Sequence, residues 1–183
     1  MRSKNLKRII LHWTGGIYAP NDKEKKCYHY LIGYHRNKTT DNKGNIKFID
    51  VATLTQGNFT PEDNLNCSDG RYAAHTGGGN TGSIGVSLCG MLGFISASNQ
   101  GKFPLKQVQF ERAYKLCAQL CKKYALVISK ATLLTHYEFG KANPTTKSKN
   151  KPDINFVPYE PNLKPDEVGD FIRNKVQWYF DKV

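Results

Sequence analysis

The clearest periodicity in the chain lies between residues 104 and 124. Phe110, Ala113, Tyr114, Cys117, Leu120, Cys121 and Tyr124 recur at i, i+3, i+4, i+7, i+10, i+11 and i+14, behind Pro104 at a first-turn position. That spacing predicts a helix with one apolar face, and such a face must bury itself against another layer. Short β-forming runs offer that layer. Lys7 to Trp13 reads as a buried strand with His12 near its C-terminal end, Tyr28 to Tyr34 as a second, and Ser83 to Leu88, bounded by Gly82 and Gly90, as a fourth. Asn45 to Val51, which follows Asn42-Lys43-Gly44, reads as a third strand and the hairpin partner of the second. A closing helix starts near Pro165, with Val168, Phe171, Ile172, Val176, Tyr179 and Val183 as its apolar stripe. The expected fold class is α/β: a single domain over 1–183, core about 7–180, with a mixed central β-sheet flanked by helices and a cleft at the sheet edge.

At 183 residues the chain is long enough for one domain with a core of its own, and 39% hydrophobic content supplies that core. No apolar run approaches the ~18 residues of a membrane span, and Ile9-Ile10-Leu11 is cut short by His12 before a signal-peptide core can form. The expectation is a protein without a transmembrane segment, cytoplasmic when synthesised. The five cysteines are odd in number and form no C-x-x-C pair, which argues against a disulfide framework and a thiolate zinc knuckle, so they read as small buried hydrophobes. A net charge of +12 implies attraction to a polyanion, and nucleic acid, anionic membrane and anionic cell-wall polymer satisfy it equally.

Residues 54 to 82 and 140 to 162 are Gly/Pro/Asn/Thr-rich and irregular, and long loops of that kind are where chemistry is to be sought. Gly77-x-Gly79-x-x-Gly82 fits the dinucleotide fingerprint, but that fingerprint needs a strand before it and a helix after it, and here a strand follows. H-E-x-x-H, G-x-S-x-G and P-loop patterns are absent. What remains is a scattered set of histidines in Leu11-His12-Trp13-Thr14-Gly15, Ala74-His75-Thr76-Gly77 and Thr135-His136-Tyr137-Glu138. An open zinc site needs about three N, O or S ligands on rigid elements, and His12 and His136 suit that role, with Asp153 as the attractive third.

The order of these blocks, with Tyr28-His29-Tyr30-Leu31-Ile32, Asn80-Thr81-Gly82-Ser83-Ile84-Gly85 and Lys151-Pro152-Asp153, resembles the N-acetylmuramoyl-L-alanine amidase type 2 family, which includes T7-type phage lysozyme and the peptidoglycan recognition proteins. The resemblance covers about residues 7 to 180. It implies that His12, His136 and Asp153 ligate Zn²⁺, that Tyr28 orients the attacking water or shuttles its proton, and that Lys151 stabilises the oxyanion. His75 would line the cleft, and Trp13, Tyr18 and Tyr137 are candidate contacts for the substrate. Glu138 has two readings, a partner orienting a ligand histidine or an exposed structural carboxylate.

Three departures from the family pattern stand out. The Lys-x-Asp-Pro-Gly turn is replaced by Lys151-Pro152-Asp153-Ile154-Asn155, the 17-residue spacing from His136 to Asp153 is long, and Ser87 stands where another branch has glutamate. The long spacing implies a Lys-rich insertion that folds back to the metal. The expected function is hydrolysis of the amide between N-acetylmuramic acid and L-alanine by a phage or prophage-type endolysin, likewise implied by the resemblance. The enzyme would be a monomer without a separate wall-binding domain, binding peptidoglycan or muropeptide and attracted to anionic envelope polymers, with no specific nucleic-acid partner. It would act on the cell wall after release. Two alternatives stay open at this point: a non-catalytic peptidoglycan-binding recognition module and a cytosolic muropeptide-recycling amidase.

Overall fold

The computed structural model describes residues 5–182. Five strands form one mixed sheet in the order β3-β2-β4-β1-β5, where β1 is Arg8–Trp13, β2 Tyr30–Thr40, β3 Ile46–Gln56, β4 Ser83–Leu88 and β5 Leu133–Thr135. β1 runs parallel to both β4 and β5, β2 runs parallel to β4, and only the β2–β3 hairpin is antiparallel. The central strands β1 and β4 are buried on both faces, β1 around the apolar run Ile9-Ile10-Leu11 and β4 with small Ser and Gly residues between Ile84, Val86 and Leu88.

Side chains alternate across a strand, so β1 serves two different environments. Ile9, Leu11 and Trp13 join the main apolar cluster, which also takes Phe110, Tyr114 and Cys117 from α2 (Gln107–Lys123) and Val168, Ile172 and Val176 from α4 (Pro165–Phe180). Ile10 and His12 occupy the alternate positions and lie outside that cluster, although both are fully buried. The helix periodicity therefore marks one side of the sheet and leaves the other for polar residues. α4 starts at Pro165 as its stripe predicts, and it packs on α2 and β5; Val183, the last residue of that stripe, lies outside the described residues.

Several boundaries differ from expectation. Tyr28 is not in β2 but caps the C-terminus of α1 (Asp22–Cys27), a short polar helix opened by a reciprocal Asn21–Glu24 capping box. The hairpin strands are 11 residues each, and β4 pairs with β2 only from Tyr30 to Ile32, so the rest of the hairpin extends beyond the sheet with Ile46, Phe48 and Ile49 exposed. β5 and α3 (His136–Ala142) were not expected from periodicity. The cysteines are all free, but only Cys89, Cys117 and Cys121 are buried, while Cys27 and Cys67 are half-buried.

The long loop before β4 is held by a polar network rather than by apolar packing. His29 is buried, its Nε2 donates to Asn64 Oδ1 at 3.0 Å, and its Nδ1 accepts from the Gly85 amide at 2.8 Å. Asn64 in turn donates to the carbonyls of Ala73 and Asn80 at 3.0 and 3.1 Å, and accepts from the Ala73 amide. Burial pushes the His29 imidazole down to about 4, because charging it would cost solvation that this pocket does not replace. Its folded value lies below its unfolded value, so the unfolded chain takes the proton first. The stability from a neutral His29 is full above about pH 6.5 and is lost as pH falls through about 4, on the order of 3 kcal/mol in all. In chelator-treated protein, the slope of unfolding free energy against pH over this window should fall by up to about 1.4 kcal/mol per pH unit in His29→Gln. An unchanged slope in urea titrations would contradict this assignment.

Candidate metal centre

His12 and His136 lie at the C-terminal ends of the parallel strands β1 and β5, where open α/β sheets present their loops, and His75 reaches His12 from beside the N-terminal half of β4. His12 is the fifth residue of β1, and His136 is the first residue of α3, directly after β5. The turn into α3 is fixed by a second reciprocal capping box, in which Thr135 Oγ1 accepts from the Glu138 amide at 3.1 Å and Glu138 Oε2 accepts from the Thr135 amide at 3.0 Å. Arg173 of α4 grips Glu138 at 2.8 Å and the Leu133 carbonyl at 2.8 Å. Glu138 thus serves as a cap for α3 and as the ion-pair partner of Arg173.

Asp153 arrives from the loop after α3, its carbonyl accepting from the Tyr137 amide at 3.1 Å. The next residue, Ile154, is fully buried in the apolar cluster and has φ of +60°, a conformation β-branched residues rarely adopt. That is how this chain turns without the Pro-Gly pair: a buried anchor holds a strained residue beside the carboxylate.

His12 Nδ1, His136 Nδ1 and Asp153 Oδ2 converge. His12 Nδ1 lies 3.0 Å from His136 Nδ1 and 3.4 Å from Asp153 Oδ2, and His136 Nδ1 lies 2.9 Å from the same oxygen. Ligand atoms at about 2.0–2.1 Å from a tetrahedral zinc are roughly 3.3 Å apart, so this spacing fits one ion. Among the described residues these three form the group able to hold one.

The hydrogen-bond partners of the far ring nitrogens say which nitrogen carries a proton. Ser148 Oγ donates to the Gly77 carbonyl at 3.0 Å and so accepts from His136 Nε2 at 2.9 Å, and an imidazole with its one proton there presents Nδ1 as a lone pair. His75 Nε2 donates to the Ser83 carbonyl at 3.3 Å, making its Nδ1 an acceptor. His12 Nε2 faces that acceptor at 3.1 Å and the Thr76 hydroxyl at 3.3 Å, so it is a donor and its Nδ1 is a lone pair too. Burial pushes His12 down to about 4 and His75 well below its ordinary value, which keeps both rings neutral near pH 7. Asp153 brings a carboxylate oxygen to the same point, 2.9 Å from His136 Nδ1 and 3.4 Å from His12 Nδ1. Two lone pairs and a carboxylate facing one point call for a cation between them.

The remaining candidates are placed as follows. Tyr28 packs its ring 5.2 Å from that of His12, and its hydroxyl reaches the Trp13 carbonyl at 3.4 Å. Ser87 is fully buried and pairs with His12 across β1 and β4, so it adjoins the cluster. His75 sits behind His12 rather than beside Asp153. Lys151 is exposed, two residues before Asp153. Trp13 is 6% exposed and packs at a tilt against Phe94 and Phe156, on the β1 face opposite His12. The Tyr137 hydroxyl donates to Asp166 of α4, and Tyr18 donates to the Pro104 carbonyl. A cavity of about 610 Å³ is lined by Pro152, Asn155, Phe94, Ile95, Phe156 and Leu163, and His12, His136 and Asp153 are not among its lining residues. Sequence reasoning passed over Thr76 and Ser148, whose hydroxyls meet the imidazoles only through folding.

No curated protein sequence matches the chain. The profile of the N-acetylmuramoyl-L-alanine amidase family matches residues 2–153, a span that takes in all three converging side chains. The chain therefore belongs to the N-acetylmuramoyl-L-alanine amidase family.

Proposed function

We propose that this chain is a zinc-dependent peptidoglycan amidase that hydrolyses the amide between the lactyl group of N-acetylmuramic acid and L-alanine, acting as a phage or prophage-type endolysin. The observation that carries the reading is the convergence of two imidazole lone pairs and one carboxylate in a buried pocket at the strand ends. A zinc ion held by His12, His136 and Asp153 would supply Lewis acidity, polarising the scissile carbonyl and easing deprotonation of the attacking water. His12 and His136 keep their protons on Nε2 and present Nδ1 inward. Burial raises the Tyr28 phenol far above its ordinary value, so it keeps its proton and serves as a donor to the carbonyl oxygen as charge develops there. Lys151, on the exposed loop leading to Asp153, brings a cation to the same oxygen. The stem peptide would occupy the cavity lined in part by Pro152 and Asn155, and the net charge of +12 favours adhesion to anionic envelope polymers. Among the described residues no helix is long and apolar enough to cross a membrane.

Digestion of purified peptidoglycan should release new N-terminal alanine without new reducing ends, lost on chelation and restored by zinc. Reducing ends instead would show that another bond is cut, and binding without release would leave a recognition module. The wild type should bind one zinc per chain in chelator competition, and Asp153→Ala should weaken that binding more than about 10-fold; equal affinity in the variant would remove Asp153 from the ligand set. Tyr28→Phe should lower kcat by about 10²–10³ with zinc content unchanged, since only a donor to the developing charge is removed. Ile95→Asp, which alters a 75% exposed wall of the cavity, should raise KM several-fold and leave kcat in place. A fall in kcat alone would place the peptide elsewhere.

A further inference from the structure

The Lys-rich insertion between α3 and Asp153 is built into the fold more tightly than an exposed loop requires. Its residue Ser148 is fully buried, although neighbouring Lys147, Lys149 and Lys151 are not. Two glycines make the room. A Cβ on Gly140 of α3 would meet the Ser148 carbonyl oxygen at 2.1 Å, and one on Gly77 would meet Lys147 Cβ at 2.6 Å, so the loop lies flush against both backbones. Internal turns hold its shape: the Thr146 amide donates to the Asn143 carbonyl, the Thr146 hydroxyl donates to the same carbonyl and accepts from the Ser148 amide, and the Lys151 amide donates to the Ser148 carbonyl. The glycine run that mimics a dinucleotide motif is therefore a seat for this loop.

We propose that the 143–151 loop is a brace whose Ser148 is a positioning residue for His136. Its hydroxyl hands a hydrogen bond from His136 Nε2 to the Gly77 carbonyl, and thereby selects the tautomer whose Nδ1 lone pair faces Asp153 and His12. The single hydroxyl proton decides the direction. It is committed to the carbonyl, which cannot donate, so the oxygen can only accept from the ring. Without that acceptor, the ring loses the reason to keep its proton on Nε2. The Nδ1 position beside the carboxylate then competes for it, and a proton there blocks coordination. The inference rests on the proposal that His136 is a metal ligand, but the tautomer is read in the metal-free protein, apart from zinc binding.

The test uses the whole chain in four forms: wild type, Ser148→Ala, Ser148→Thr, and Thr146→Val, which loosens the loop while leaving the Ser148 hydroxyl. Nitrogen-15 imidazole spectra of the metal-free proteins should show the His136 proton on Nε2 in the wild type and in Thr146→Val, and on Nδ1 or exchanging between the two in Ser148→Ala. Zinc affinity by chelator competition should fall about 10- to 100-fold in Ser148→Ala, should be restored in Ser148→Thr, and should change little in Thr146→Val. An unchanged Nε2 proton in Ser148→Ala, or zinc affinity within twofold of wild type, would overturn the proposal. Equal loss in Thr146→Val would reduce the hydroxyl to loop packing and overturn it as well. A wild type with the expected tautomer but no zinc binding would count against the metal reading and leave the brace standing.

Discussion

A neutral imidazole carries one proton and one lone pair, and in a buried site the groups around it decide which nitrogen holds which. The candidate centre depends on that choice being made the same way twice. His12 is turned by His75 and Thr76, His136 by Ser148, and in both rings Nε2 is occupied from behind so that Nδ1 is left open toward Asp153. Packing alone could bring these rings together, but it would leave their lone pairs free to point away. The polar residues behind the rings are thus as much part of the site as the three that converge.

The sheet makes this arrangement affordable in a chain of this size. Because β1 is buried on both faces, one face can serve the apolar cluster with α2 and α4 while His12 sits on the other among polar groups that are themselves satisfied. His29 and Asn64 pin the loop that carries His75. α4 lies past the residues matched by the family profile, yet its Arg173 holds Glu138, the residue that caps α3 and so aims His136. The C-terminal helix supports the centre from a distance, through an ion pair that is itself mostly buried.

Much of this was legible in the residues. β4, α2 and α4 were readable because burial imposes a period on their apolar positions, and the grouping of His12, His136 and Asp153 was readable from the order of the blocks that resemble the amidase family. The length of the hairpin was not, since residues 35 to 50 are nearly all exposed and no burial pattern marks them. α1 and α3 lack an apolar stripe, but both announce themselves by a cap: Asn21 with Glu24, and Thr135 with Glu138, each three residues apart. Ser148 and Thr76 were invisible for a different reason. A serine 12 residues from a histidine has no special spacing, and only the flush seating of the loop on Gly77 and Gly140 brings the hydroxyl to the ring.

The central claim is that two Nδ1 atoms and one carboxylate oxygen form a zinc site, and X-ray absorption at the zinc edge of the metal-loaded protein tests it most directly. The account predicts two imidazole nitrogens and oxygen neighbours at about 2.0–2.1 Å, with no sulfur scatterer. A sulfur neighbour at about 2.3 Å would place the metal on one of the cysteines and contradict the account, as would a spectrum without imidazole scattering.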